Sequence, residues 1–304
     1  MKVVVFGGSG FLGSHVADAL TEAGHGVTVY DITPSPHLQA SQKMIVGDIM
    51  DEHLVNSVVK DNEIVYNLAG IADIGLASQR PFDAIKLNIL GNTIIMEACR
   101  NARVNRIIFA SSLYVYGKTG SFYRSTKQAC ELLLENYYEV YGLPYTILRY
   151  GSLYGPRADE RNFIYKIIKQ ALQEKKIVRE GDGEEIREYI HVYDAAKISV
   201  EVLSDEFMNQ YVIITGNQQM KVKDLLNMVK EMLDNKIQIE YTAALNNYHY
   251  EITPYTFAPK MAKRVVSRTY LDLGQGIIEC LKSAHQVIHP SQVYNGLMVE
   301  KDQH

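Results

Sequence analysis

Residues 3 to 15 read VVVFGGSGFLGSH: four β-branched or aromatic apolar residues run into a stretch, Gly7 to Gly13, where four of seven residues are glycine. The apolar run predicts a buried strand, and Leu12, Val16, Ala19 and Leu20 recur on one side of a helix that must begin at once after it. Gly7, Gly10 and Gly13 stand between the two at G-x-x-G-x-x-G spacing. The first allows a tight turn out of the strand, the second lets a pyrophosphate approach the backbone, and the third lets helix and sheet pack closely. The free N–H groups and positive dipole end of that helix then face an anion.

A dinucleotide is the ligand this turn expects, because Asp31 ends the next apolar run, VTVYD, about 20 residues further on. A carboxylate there accepts hydrogen bonds from the ribose hydroxyls of an adenosine. It would repel a 2′-phosphate, and no arginine follows in DITPSP, so NAD is favoured over NADP. Further runs at 44–46, 63–68, 106–110 and 145–148 alternate with helical patterns at 11–23, 82–102 and 125–141. Near-continuous apolar strands between helices predict the α/β class: a Rossmann-type, doubly wound parallel sheet with both faces covered. After Gly155-Pro156 the rhythm breaks into REGDGEEIREY, which predicts a smaller C-terminal α/β substrate lobe. The expected division is 1–155, with a return segment at about 187–215, for the cofactor and mainly 156–304 for the substrate.

The 304 residues carry 31 Lys+Arg against 35 Asp+Glu, a net charge of −4. That is no footprint for nucleic acid or an anionic membrane, so an anionic ligand must be met locally. Cys99, Cys130 and Cys280 are odd in number and far apart, which suggests neither a disulfide framework nor a zinc site. The chain enters a strand within two residues of its start and shows no apolar run of about 18 residues, so a soluble, cytoplasmic protein is expected. The helical pair His285 and His289 lacks a third ligand in sequence, and no metal is expected.

Tyr123-x-x-x-Lys127 falls on the first turns of a helix, where residues four apart share a face. A lysine ammonium, or a cationic nicotinamide, beside a phenol favours the phenolate. Bringing a phenol from about 10 to near 7 takes roughly 4 kcal/mol, which two close positive charges in a partly desolvated site can supply. Tyr123 is thereby the candidate base at neutral pH.

These residues, with GDI (47–49), NLAG (67–70), SSLYVYG (111–117), YRSTK (123–127), LRYGSLYGP (148–156) and REYIHVYDAA (187–196), resemble the extended short-chain dehydrogenases/reductases of the nucleotide-sugar epimerase/dehydratase group. The resemblance is strong over about residues 1–200. It implies Ser112, Tyr123 and Lys127 as catalytic residues, with the neighbouring Ser111 given to the substrate. It implies that NAD is held by Gly7, Gly10, Phe11, Leu12, Gly13, Asp31, Asp48, Ile49, Leu68, Ala69, Gly70, Lys127 and Tyr150. Asp48 and Ile49 fall at the adenine, and Leu68 to Gly70 at the phosphates and ribose. Tyr150, Gly151 and Ser152 form the turn facing nicotinamide and sugar. Arg187 is the implied clamp for the substrate's diphosphate, since a guanidinium fork bonds two phosphate oxygens. Its alternative is a surface ion pair with Glu184, Glu185 or Glu188. Lys260, Lys263 and Arg264 are a further basic cluster that could meet a phosphate.

Two departures bear on the reaction. Members that dehydrate or decarboxylate the sugar place an acid right after the catalytic Ser or Thr; here Leu113 and Tyr114 stand there. What remains is oxidation at a sugar carbon, most simply C4, with return of the hydride: epimerisation first, ketone reduction second, and dinucleotide sensing without turnover third. Ser112 and Tyr123 are also only 11 positions apart, where the family commonly has about twice that. The missing insert normally lies by the sugar, so a more open pocket is expected. Finally, Leu132, Leu133, Leu134, Tyr137, Tyr138, Val140 and Tyr141 make helix 125–141 apolar on more than one stripe. Either that helix is buried on two sides within the monomer or its second face pairs with a twin, and the family habit of dimerising through two such helices, here roughly 83–101 and 125–141, implies a homodimer.

Overall fold

The computed structural model describes residues 1–243, 251, 254, 263–265 and 270–290. The strands, in chain order, are Lys2–Phe6 (β1), Gly26–Asp31 (β2), Lys43–Val46 (β3), Ile64–Asn67 (β4), Arg106–Ser112 (β5), Tyr145–Tyr150 (β6), Ser152–Tyr154 (β7), Lys176–Glu180 (β8), Ile186–His191 (β9), Gln210–Ile214 (β10), Gln219–Lys221 (β11), Gln238–Thr242 (β12) and Lys263–Arg264 (β13). The α-helices are Phe11–Glu22 (α1), Glu52–Lys60 (α2), Ile74–Gln79 (α3), Pro81–Ile85 (α4), Asn92–Ala102 (α5), Ser121–Tyr141 (α6), Phe163–Glu174 (α7), Val192–Glu201 (α8), Val222–Met232 (α9) and Leu273–Ile288 (α10).

Eight strands form one sheet in the order β13-β10-β6-β5-β4-β1-β2-β3, and every pairing in it is parallel. Parallel neighbours require crossover helices, which cover both faces and explain why Val3, Val4, Val5, Ile107 and Ile147 are buried on either side of their strands. α1 and α8 pack on one face, over Val5, Val29 and Ile214; α2, α5 and α6 pack on the other, over Val4, Ile107 and Ile147. The strand order reverses between β1 and β4, so the crevice beyond their carboxyl ends is the place where such sheets bind ligands.

The remaining strands form a three-stranded sheet, β11-β9-β7, and a pair, β12-β8. With α7, α9 and α10 they enclose a separate core of Ile164, Ile168, Ile177, Leu226, Ile277 and Leu281. The short β13 places the backbone of Lys263 and Arg264 at the edge of the large sheet, beside β10.

Two helices differ from expectation. The pattern over 82–102 is helical throughout, but its middle, Lys86–Gly91, widens to a π-helix. Asn88 within it reaches out to bond both the N–H and the carbonyl of Ile71 (2.7 and 3.0 Å) and the Thr126 hydroxyl (3.0 Å). The helix expected from residue 125 starts four residues earlier, at Ser121. Gly120, at φ +101° and with Tyr114 where its Cβ would be (2.8 Å), makes the sharp entry. A 3-10 turn at Leu113–Tyr116 fills the first half of the short link from β5. The missing insert is thus absorbed by a tight turn, and Tyr123 still lies on the helix.

Candidate functional site

At the β1/β4 switch point the backbone is shaped by contacts that leave no space for side chains. Gly7 has φ +77°, and a Cβ on it would lie 2.8 Å from the Leu68 carbonyl carbon; one on Gly13 would lie 2.0 Å from the Gly7 oxygen. Helix α1 begins at Gly10 with no side-chain cap and no acid in its first turn, leaving its N-terminal dipole to a ligand anion, past Phe11 and Leu12. The Asp31 carboxylate reaches back to this turn, accepting the Ser9 N–H (3.0 Å) and the Thr33 N–H (3.3 Å). These residues fit a dinucleotide: a bare backbone cradle, an uncapped helix end and a carboxylate at ribose distance along the chain. Asp48 is exposed and turns the loop by accepting the Met50 N–H (2.9 Å); Ile49 packs on Gly91. On the other side, Leu68 bonds back to Phe6 (2.9 Å) and Ala69 to the Asn67 side chain (3.2 Å). Gly70, at φ +132°, has the Asn88 amide oxygen 2.5 Å from where a Cβ would be.

Ser112 ends β5, and Tyr123 and Lys127 occupy the first two turns of α6. All three are buried. The Lys127 ammonium donates to the Ala110 carbonyl (2.7 Å) and lies 4.8 Å from the Phe109 ring centre and 5.7 Å from that of Tyr123. Burial pushes Lys127 down to about 8, opposed by Cys130 and the Glu131 carboxylate. The Ser112 hydroxyl oxygen accepts the Tyr114 N–H at 3.4 Å. Tyr114 in turn meets the Tyr123 ring edge to face, with centres 6.3 Å apart.

Tyr114 also lines a cavity of about 150 Å³ together with Ser152, Phe163, Arg179, Glu185 and Arg187. This links the tyrosine pair to the substrate residues read from the sequence. Arg187 is 7 % exposed and donates to the Ile186 carbonyl (3.0 Å), so it lies in the wall of this cavity and not on the open surface. Glu184 pairs with Lys221 (2.8 Å) and Lys223, Glu185 pairs with Arg179, and Glu188 accepts from Thr215 (2.7 Å) and Gln219 (3.2 Å). Arg179 also lies over the Phe163 ring (5.3 Å). A second cavity, about 170 Å³, lies between Tyr154, His191, Asn217 and Tyr270; neither cavity is lined by Ser112, Tyr123 or Lys127, and only the first includes Tyr114, which touches the Tyr123 ring.

Two side chains expected at the site point elsewhere. The Ser111 hydroxyl donates to Glu131 at 2.5 Å in the buried interior, because successive strand residues face opposite ways. The Tyr150 hydroxyl is held by Ser199 of α8 at 2.6 Å, so only its backbone borders the turn to Ser152. Lys260 lies outside the described residues, as do the side chains of Lys263 and Arg264. Asn88, Phe163 and Arg179 were missed, and Tyr114 was marked only as standing where relatives place an acid. A polar Asn inside an apolar helix was a usable signal; Phe163 and Arg179 carried none. The rings of His285 and His289 are 4.9 Å apart. Among the described residues no group of three or more potential metal ligands converges, and no helix is long and apolar enough to cross a membrane.

The model of the NAD dependent epimerase/dehydratase family matches residues 3–213. A putative UDP-glucose 4-epimerase of Methanocaldococcus jannaschii is 27 % identical over 90 % of this chain and 95 % of its own. A UDP-N-acetyl-alpha-D-glucosaminuronate decarboxylase of Bacillus cytotoxicus is 26 % identical over 78 % of this chain and 82 % of its own. Among solved structures, a UDP-glucuronic acid 4-epimerase of Bacillus cereus, in complex with UDP-glucuronic acid and NAD, superposes with a TM-score of 0.82 at 24 % identity, covering 94 % of this chain and 100 % of that one. With the match running through the large sheet from β1 to β10, all of its strands but the edge strand β13, and NAD the cofactor of that family, this chain belongs to the NAD-dependent epimerase/dehydratase family of extended short-chain dehydrogenases/reductases.

Proposed function

We propose that the chain is a nucleotide-sugar epimerase that oxidises a sugar hydroxyl, at C4 in the simplest case, and returns the hydride to the opposite face. The observation that carries this is the tyrosine pair: Tyr123, buried beside Lys127, is joined through Tyr114 to a cavity walled by Arg187. NAD, bound along Gly7–Gly13 and Asp31, supplies the hydride acceptor. Tyr123 takes the hydroxyl proton and gives it back, Lys127 holds the phenolate, and Ser112 holds the sugar oxygen. Arg187 anchors the diphosphate while the keto sugar turns over beside Tyr114 and Ser152. Relatives also include a decarboxylase and dTDP-D-glucose 4,6-dehydratases, reactions that need a further acid or base. Leu113 is fully buried among apolar side chains and cannot serve. The pocket's own carboxylate, Glu185, is engaged by Arg179.

The same reading divides the chain at about 155, with the segment 187–215 returning to the cofactor side, and places it in the cytoplasm, in keeping with three buried, free cysteines. It makes the protein a homodimer. Leu132, Tyr138, Val140 and Tyr141 of α6 are exposed, as are Phe82, Ile85 and Leu90 beside it, and a twin copy would cover them. The test is a panel of UDP, GDP, CDP and dTDP sugars followed by proton NMR. An epimer should form without net consumption of NADH, and Tyr123→Phe should bind NAD normally while turnover falls at least about a hundredfold. A ketoreductase would consume added NADH, and a dinucleotide sensor would convert nothing.

A further inference from the structure

Beneath the catalytic residues lies a buried charged cluster that the proposed reaction does not use directly. Glu131 follows Lys127 by one turn of α6. Its carboxylate takes two hydrogen bonds from Arg149 of β6 (2.9 and 2.6 Å) and one from Ser111 of β5 (2.5 Å). Arg149 also donates to the Tyr116 hydroxyl (2.5 Å) and lies over the rings of Tyr116 and Tyr211 (4.5 and 4.3 Å to their centres). The pair is sealed from solvent, at 2 % and 4 % exposure. A buried ion pair is rarely a gain over apolar packing of the same volume, so stability alone does not account for it.

Its placement supplies a reason. The four polar residues sit on the four segments that carry or border the acid/base group. Ser111 precedes Ser112, Tyr116 belongs to the same turn as Tyr114, Glu131 shares the helix of Tyr123 and Lys127, and Arg149 lies opposite Ser111 in the sheet. We propose that Glu131, locked by Arg149 and Ser111, is a positioning residue that fixes α6 against β5 and keeps Lys127 in its cationic form beside Tyr123. This rests on Tyr123 being the acid/base.

The groups facing Lys127 are few. Tyr123, Cys130 and Glu131 come from its own helix, and the Ala110 carbonyl and Phe109 ring from β5. Arg149 of β6 reaches it through Glu131. Of these Glu131 is the anionic side chain that opposes the loss of the ammonium proton caused by burial. Its own repulsion of a Tyr123 phenolate acts over two helical turns, about 12 Å of rise, and is weaker than the loss of the nearer cation.

The test compares wild type, Glu131→Gln, Glu131→Asp and Tyr123→Phe, all loaded with NAD. Tyrosinate formation is followed by ultraviolet difference spectra against Tyr123→Phe, alongside kcat and KM. In Glu131→Gln the Tyr123 step should move to higher pH by about one unit and kcat should fall at least tenfold, with KM changed less than about threefold. Glu131→Asp should restore the step. If Glu131→Gln does not fold, Ser111→Ala, which removes one bond to the carboxylate, should move the step in the same direction by a smaller amount. An unmoved step and unchanged kcat, with only a lower Tm, would reduce Glu131 to a structural clamp. Full activity of Tyr123→Phe would instead overturn the acid/base reading itself.

Discussion

The glycine cradle and the arginine pocket are assembled in different ways. The cradle comes from one continuous stretch, Gly7 to Asp31, closed by the strand end at Leu68–Gly70, and its shape is set by backbone packed at 2.0–2.9 Å from missing Cβ positions. The pocket takes Tyr114, Ser152, Phe163, Arg179 and Arg187 from separate segments of both cores, and its shape is set by side chains held by one another. One is therefore intolerant of any added atom, and the other can change residue by residue without loss of fold. A single cofactor with many sugars is the outcome expected of such a division.

The difference can be broken at either end. Gly13→Ala puts a methyl group against the Gly7 oxygen, so NAD binding followed by fluorescence quenching should be lost, with stability lowered by about 1–3 kcal/mol for overpacking. Retained binding would mean that the turn is not the cradle. The seam between the two regions should respond to acid. His15 of α1 donates to the Pro156 carbonyl (3.0 Å), and both His15 and His191 meet the Tyr193 ring edge to face (5.1 and 4.7 Å). Burial pushes each histidine down to about 4. The unfolded chain takes up these protons near pH 6.5 and the folded one resists until about pH 4, so their contribution is complete above pH 6.5 and lost as pH falls toward 4. The loss is about 3 kcal/mol for each, read as Tm against pH. His15→Asn should flatten that profile.

At the pocket end, Arg187→Ala should raise KM for the nucleotide sugar by about ten- to a hundredfold, the scale of a charge-assisted hydrogen bond, with the NAD dissociation constant unchanged. An unchanged KM would place the diphosphate elsewhere. The smallest expected effect returns to the cradle: Asp31→Ala should weaken NAD about tenfold and relax its preference over NADP. An unaltered preference would show that the ribose lies away from Asp31.

The same division explains what the sequence made legible. The cradle and large sheet follow from local patterns, glycine spacing and apolar runs, whose consequences are confined to neighbouring residues. Even there, helix α2 went unread although Asp51 caps it through Leu54 (3.0 Å) and Val55, Val58 and Val59 fill one face. The pocket depends on long-range approach. Arg179 joins the site through Phe163 and Glu185, and neither partner is marked by spacing. The placement of Ser111 and Tyr150 depended on which side of a strand each faces. Alternation alone turns Ser111 and Ser112 to opposite faces, but that Ser111 is the one turned to Glu131 follows only from the packing of α6.

The central proposal is that Tyr123 moves the hydroxyl proton while a hydride leaves a sugar carbon for bound NAD, and that the same hydride returns. The most direct measurement uses a nucleotide sugar carrying deuterium on C4, with the product analysed by NMR and mass spectrometry. The account predicts inversion at C4 with the deuterium retained in the product. Inversion with deuterium washed out to solvent, or release of a dehydrated or decarboxylated sugar, would contradict it.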